Sequence, residues 1–321
     1  MVAVISIDSG SSYLKLFSNS NDREVSILEA SLVEEVSEKS QLPSKIKFKD
    51  KWFVAGRTAE LQKTTFQEDP ELGEFHGSPK QFIQWIHAFE KNNLVGDFDI
   101  LVTSLPYDDF ANLDLRRFLK ENKRFEWTNS ANEKRYINFS SVEVVPQGVG
   151  ALELYKKEFS NDELPETLTL IDIGSCTTDV VSVIWDDDEQ QYIYKERGCT
   201  SIKDVSTSVF IRKLRDKVNE KRAVKIKLGY HELTKAILKK KFELQIGSEK
   251  IEFHSHYEDL RKEFTDILSK KLQALLGDSW RSTNNTILTG GGESFVLPWD
   301  CEKRTVRLDV FSNVKGQILM V

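Results

Sequence analysis

Asp8 and Asp172 each end an apolar run, Val2 to Ile7 and Leu168 to Ile171, and each opens a turn rich in glycine and hydroxyl groups. The first turn reads Asp8, Ser9, Gly10, Ser11, Ser12 and leads into Tyr13, Leu14, Lys15, Leu16. The second reads Asp172, Ile173, Gly174, Ser175, Cys176, Thr177, Thr178, Asp179 and leads into Val180 and Val181. Glycine lets such a turn bring backbone N–H groups close to an anion, and the hydroxyls add donors. A carboxylate beside a phosphate would repel it, so the task that suits each Asp is to hold a hydrated divalent cation. Asp8 and Asp172 would then meet at one Mg²⁺, and Lys15 would bring a point positive charge to a phosphate oxygen. One copy alone is equally an ordinary hairpin turn. Two copies point to two related half-molecules that grip one phosphate-bearing ligand.

The elements that must position these groups follow from periodicity. The runs ending at Ile7 and Ile171 read as buried strands, with Tyr13 to Leu16 and Thr178 onward as their return strands. Val25 to Leu28 supplies a third strand, and Trp52 to Ala55 another. Ser78 and Pro79 combine a capping hydroxyl with proline at the first helical position, and Phe82, Ile83, Ile86 and Phe89 follow at helical spacing. Phe98 to Thr103 reads as a buried strand, and the stretch from about Glu34 to Trp127 as a small α/β insertion in the first half. Val142 to Val145 runs into Pro146, Gln147, Gly148 and a helix carrying Leu152 and Tyr155.

In the second half, Tyr192 to Lys195 pairs back across the acidic turn Asp186, Asp187, Asp188, and a helix with Val209, Leu214 and Val218 follows. Residues from about 224 to 256 read as a small subdomain: a helix around His231 to Phe242, closed by Lys239, Lys240 and Lys241 where cations suit the dipole, then a hairpin through Gly247. His254 and His256 are expected in that solvated hairpin, without the spacing of a metal site. Tyr257, Leu260, Phe264, Leu268 and Leu272 define an amphipathic helix that stops at Gly277. The strand Thr286 to Thr289 delivers Gly290, Gly291 and Gly292, against whose bare backbone a flat ring or a ribose would lie.

A length of 321 residues suggests two domains, and 39% hydrophobic with 30% charged residues describes a globular chain. The formal charge of −6 argues against a dedicated DNA-binding surface. Three cysteines without CxxC spacing indicate neither a disulfide framework nor a zinc site and favour a reducing compartment. No secretory signal is visible, and no apolar run approaches the ~20 residues of a membrane span. The expected location is cytoplasmic, with no membrane partner and any nucleic acid reached through another protein.

Five segments in this order, DSGSSYLK, VVPQGVGAL, IDIGSCTTDV, ILTGGG and SNVKGQIL, resemble the first phosphate, first connecting, second phosphate, adenosine and second connecting motifs of the actin, sugar-kinase and heat-shock chaperone superfamily. The chain is most similar to its short prokaryotic members, the ParM-type plasmid-segregation actins and related archaeal actins. The resemblance implies an α/β, actin-like (ribonuclease-H-like) fold: two related halves, each with a central mixed sheet, and a nucleotide in the cleft between them. The halves would be residues 1–160, with the insertion at about 34–127, and 161–305, with a second insertion at about 224–256; residues 306–321 would return to the first half. Asp8 and Asp172 would hold Mg²⁺, while Gly10, Ser11, Ser12 and Lys15 with Gly174, Ser175, Cys176 and Thr177 would bind the phosphates of ATP, or of GTP. Gln147 would position the attacking water and, with Asp172, carry catalysis; Gly290, Gly291 and Gly292 would line the adenosine.

Two positions depart from the family pattern. Gln147 stands where many ParM-type chains are expected to have Glu, and an amide orients water without acting as a base. Lys203 and Asp204 stand where small residues are usual near the nucleoside. The implied function is a polymer that assembles with ATP, hydrolyses it and moves plasmid DNA through a DNA-binding adaptor at a plasmid centromere; its partners would be further copies of itself and that adaptor. A chaperone of the superfamily would carry a substrate domain beyond the ATPase part. A sugar-type kinase on the same scaffold needs a carboxylate to deprotonate a hydroxyl, for which Asp179 or the pair Asp108, Asp109 are the candidates, and a non-polymerising ATP-dependent scaffold is the third reading.

Overall fold

The computed structural model describes all residues except 1, 20–23, 63–74, 160–163, 221, 223–224, 279, 281–282, 284 and 300–303. The chain divides into two compact units, one built from residues 1–63, 72–164 and 308–321, the other from Pro165–Arg307.

The first unit is organised on β1 (Val4–Ser9), whose six residues are all buried. Burial on both faces is the environment of a central strand, and it explains an apolar run without alternation. β1 pairs antiparallel with β2 (Tyr13–Ser18), and β2 with β3 (Val25–Ala30). The sheet is extended by β4 (Val33–Val36), β5 (Ile46–Phe48), β6 (Lys51–Ala55), β7 (Gly96–Leu105), β8 (Arg124–Thr128) and β9 (Lys134–Pro146), in the order β3-β2-β1-β7-β9-β8-β5-β6-β4. β7 lies in the stretch expected as an insertion, yet it runs parallel between β1 and β9. The stretch 34–127 therefore supplies a core strand as well as the short outer strands, and those extend the same sheet. Only pairing between residues far apart in sequence decides this, and periodicity does not report it.

The first helices of this unit are α1 (Gly56–Gln62), α2 (Pro79–Lys91), α3 (Tyr107–Phe110) and α4 (Leu113–Glu121). Ser78 caps α2 by accepting from Gln81 N, and Phe82, Ile83, Trp85, Ile86 and Phe89 join the core formed with β1, β2, β7 and β9. α5 (Val149–Glu158) follows β9.

The second unit repeats the central arrangement. β10 (Thr167–Ile173) pairs antiparallel with β11 (Thr178–Asp186), which pairs with β12 (Gln191–Ile202); β15 (Asn285–Thr289) and β16 (Arg304–Arg307) add in parallel, giving β12-β11-β10-β15-β16. This is the pattern β3-β2-β1-β7-β9 of the first unit, strand for strand. β13 (Glu243–Ile246) and β14 (Glu249–Glu252) form a separate two-stranded sheet. The core is filled from α6 (Thr207–Asn219), α7 (Tyr230–Leu238) and α8 (His254–Leu276). α8 ends at Gly277, whose φ is 56°. His254 and His256 belong to its first turn and not to the preceding hairpin, because the helical register of Tyr257, Leu260 and Phe264 continues one turn upstream and the His254 ring stacks on Phe242 with centroids 4.5 Å apart.

Leu308–Val321 belongs to the first unit. There α9 (Ser312–Gln317) packs Val314 with Val4, Phe17 and Val102, and Ser6 Oγ donates to Gln317 Oε1 at 2.5 Å. α9 crosses α5 backbone to backbone. A Cβ at Gly316 would stand 1.7 Å from Gly150 O, and one at Gly150 2.0 Å from Asn313 O, so both positions require glycine.

Candidate functional site

In the first unit β1 brings Asp8 opposite Lys15 of β2, and the parallel neighbours β7 and β9 bring Ser104 and Gln147 to the same strand end. Lys15 Nζ donates to Asp8 Oδ2 at 2.7 Å. Gln147 Nε2 and Ser104 Oγ donate to Oδ1 at 2.9 and 3.2 Å. Asp8 is 1% exposed. Burial alone would raise its pKa, but the Lys15 ammonium and the three hydrogen bonds outweigh it and hold the carboxyl below the ordinary range. The group is thus kept in the ionised form that a divalent cation binds. Lys15, expected on a phosphate oxygen, places its charge on Asp8 in this structure. Gln147 gives its amide N–H to Asp8, which turns its Oε1 into the atom available to accept from a water.

The turn that follows is held from behind. Gly10 N donates to Tyr13 O at 3.1 Å, while Ser31 reaches in with its Oγ on Gly10 O at 2.6 Å and its N–H on Ser12 O at 2.7 Å. Trp85 Nε1 of α2 donates to Ser9 Oγ at 2.5 Å. Ser12 Oγ is buried and has no hydrogen-bond partner among the described residues. A buried hydroxyl without a partner asks for an acceptor, and a phosphate oxygen at this turn would supply it.

The second unit builds the same turn: Gly174 N donates to Thr177 O at 2.8 Å, as Gly10 N does to Tyr13 O. Its support comes from α6, whose Thr207 and Ser208 N–H groups donate to Gly174 O and Ser175 O, each at 3.0 Å. Asp172 is 4% exposed, opposite Asp179 in one register and Thr289 in the other. Asp179 accepts from Thr177 Oγ1 at 3.1 Å and from Ser201 Oγ. Cys176, in the turn, is partly exposed, Cys199 is buried, and Cys301 lies outside the described residues.

Gly290, Gly291 and Gly292 follow β15, but they are not equivalent. Gly290 has φ 86°, and a Cβ there would stand 2.3 Å from Asp172 Oδ1; at Gly292 it would stand 2.3 Å from Ile173 Cγ2 and 2.7 Å from Thr207 Cγ2. These two glycines let the loop lie against the end of β10. Gly291 alone faces open space, with nothing within 4 Å of a Cβ, so it is the position where a flat ligand group has room. The departure at Asp204 lies outside this arrangement, in an exposed pair with Lys271 of α8 at 2.6 Å.

Sequence reasoning missed His76. Its Nδ1 is buried without a hydrogen-bond partner among the described residues, and burial pulls its pKa down against the carboxylates of Asp109 and Asp8. The residue precedes the Ser78 cap of α2, and nothing in its spacing announces that it feels the charge of Asp8. Among the described residues no group of three or more His, Cys, Asp and Glu is placed to hold a metal.

Residues 6–150 match the model of the actin-like protein N-terminal domain, and residues 170–298 that of the archaeal actin homologue, MreB-like C-terminal domain. The chain belongs to the actin-like proteins. Among solved structures it is similar over its whole length to a non-polymerisable quadruple mutant of the pCBH ParM, with 19% identity and a TM-score of 0.75, covering 100% of this chain and 99% of that one. A 15-stranded ParM filament from Clostridium botulinum is 18% identical with a TM-score of 0.74, covering 99% and 98%. The archaeal actin homologue Ta0583 in complex with ADP is 18% identical with a TM-score of 0.76, covering 99% and 98%. Curated proteins give no match in sequence. The actin-like fold, two sheet-containing units with the same strand order, is as the motifs implied.

Proposed function

We propose that this chain binds ATP with Mg²⁺, assembles into filaments and hydrolyses the nucleotide there, moving or segregating plasmid DNA through a DNA-binding adaptor. The observation that carries the reading is the repeated half-site: a buried strand-end Asp followed by one turn geometry, built twice on one strand order. A triphosphate is the ligand that uses two such turns. Ser12 Oγ and the turn amides donate to phosphate oxygens, Lys15 neutralises charge, and Gln147 Oε1 orients a water while its Nε2 stays on Asp8. Asp8 and Asp172 would hold Mg²⁺, which supplies Lewis-acid charge to the phosphates when bound. An amide positions and does not abstract, so hydrolysis should be slow until assembly aligns the site. The solved ParM filament and the ADP complex of an archaeal actin homologue support polymerisation and nucleotide binding by analogy of fold.

The kinase reading needs a carboxylate ready to take a proton. Asp179 is 1% exposed and both its oxygens accept from hydroxyls, which suits a structural role better than that of a base. Sedimentation and light scattering with ATP, GTP and no nucleotide, with phosphate release followed in parallel, test the proposal. Nucleotide-dependent pelleting with hydrolysis is expected; its absence with every nucleotide would remove the polymer reading.

A further inference from the structure

Two surfaces of the second unit remain without a task, and they are opposite in charge. One is a groove of about 480 Å³ between α7 and the β13–β14 hairpin. Ala236, Leu244 and Ile246 give it an apolar floor, and Lys235, Lys239 and Lys241 stand on its rim. None of the three lysines makes an ion pair with another described residue, whereas the two acidic residues of the groove are engaged: Glu243 with Lys250 at 2.7 Å, Glu232 on Gly229 N at 3.3 Å. The other surface is the tip of the β11–β12 hairpin. Asp186 Oδ1 accepts from Asp188 N and Glu189 N at 2.9 and 3.2 Å, which fixes the turn and leaves Asp187, Asp188 and Glu189 pointing outward with no ion pair to a described residue. Directly behind, Ile184 and Ile193 face each other in register and are 36% and 43% exposed.

These surfaces lie at opposite ends of the unit. β11 starts at the phosphate turn with Thr178 and its nine residues carry the tip about 30 Å away. α8 runs the same way. Its Lys271 pairs with Asp204, just past the residue opposite Thr178, and its Leu276 lies beside Gly198 further along the sheet. The start of α8 therefore lies beyond the phosphate-turn end, about 25 Å along the helix from Lys271 at a rise of ~1.5 Å per residue. His254 there stacks on Phe242, which adjoins β13. A tip and a groove so far apart cannot meet within one unit.

We infer that the groove between α7 and the β13–β14 hairpin receives the acidic β11–β12 tip of a second copy of this chain, Asp187, Asp188 and Glu189 meeting the three lysines and Ile184 and Ile193 covering Leu244 and Ile246. Two different patches at opposite ends make the contact head-to-tail, so each copy that docks presents one more free tip and one more free groove, and the series stays open. Association steered by opposite charges also sets which end meets which. The inference rests on the reading of the chain as a polymer and names its contact.

The test uses the full chain with two charge reversals, Lys239→Glu with Lys241→Glu, and Asp187→Lys with Asp188→Lys. Each variant alone is expected to raise the concentration needed for ATP-dependent pelleting at least tenfold, with unchanged melting temperature and nucleotide affinity, because all four side chains are exposed. A 1:1 mixture of the two variants should pellet again, since the acidic groove of one then accepts the basic tip of the other, and so should the chain carrying all four changes. If either variant pellets as the parent chain does, or if neither the mixture nor the fourfold variant recovers, this pairing is wrong. If the parent chain itself does not pellet, the polymer reading fails first and the pairing falls with it.

Discussion

Each unit buries an aspartate at the end of its first strand, and the two differ in what stands opposite it. Behind Asp8 the opposing residue is Lys15, whose ammonium sits 2.7 Å from the carboxylate. At the corresponding place behind Asp172 the opposing residue is another carboxylate, Asp179, held by the hydroxyls of Thr177 and Ser201. The backbone is duplicated and the electrostatics are not. Asp8 thus meets a cation of its own sheet across the register, whereas Asp172 meets a second acidic residue there.

The largest effect should come from the carboxylate on that second half. Asp172→Ala is expected to lower ATP hydrolysis at least ~100-fold while raising the nucleotide Kd less than ~10-fold, read by phosphate release beside equilibrium binding. Equal losses in both would make Asp172 a binding residue and erase the asymmetry. Next comes the cost of unbalancing each half. Lys15→Met strands a buried carboxylate and should destabilise by about 3 kcal/mol or more, whereas Asp179→Asn, whose partners are rotatable hydroxyls, should cost about 1 kcal/mol; urea unfolding of the two variants makes the comparison directly. A third contrast lies within the glycine loop. Gly290→Ala forces a Cβ onto Asp172 at a positive φ and should cost about 2 kcal/mol, while Gly291→Ala should stay within about 0.5 kcal/mol in stability and appear instead as weaker nucleotide binding.

Acid should separate the units by the smallest margin. Burial alone would raise the carboxyl of Glu29, but His87 and Lys91 outweigh it and hold it low, as Lys15 does for Asp8. A carboxyl depressed in the folded state adds stability that is complete above its unfolded pKa of about 4 to 4.5 and is lost as the pH falls through the folded value. In the second unit the depressed carboxyls of Asp204 and Glu263 are exposed and screened, so they add little. Hydrogen exchange from pH 7 down to about 3.5 should show first-unit amides losing protection first, and Glu29→Gln should narrow the gap.

What was legible in the chain was local. Asp8 and Asp172, their turns, the Ser78 cap and the α8 stripe are written in contiguous residues, and the order of five motifs carried the fold. What stayed hidden depends on long-range pairing. Nothing beside Lys15 says that it faces Asp8 across a register, and nothing near Trp85 says that its indole reaches Ser9. The glycine run was read as one surface for a ring because sequence does not show that Asp172 and Thr207 already press on two of its three members. β7 was assigned to an insertion for the same reason: a buried strand looks alike at the centre of a sheet and in an added lobe.

The return of Leu308–Val321 to the first unit has a consequence in time. Val314 fills the space among Val4, Phe17 and Val102, and Gln317 accepts from Ser6 on the central strand, so the first unit lacks part of its interior until that last segment has left the ribosome. The strands of the second unit's sheet all lie between Pro165 and Arg307, ahead of that segment. Made second, its sheet is complete first, and the half that was translated earlier waits for Val314 and Gln317 to close its core.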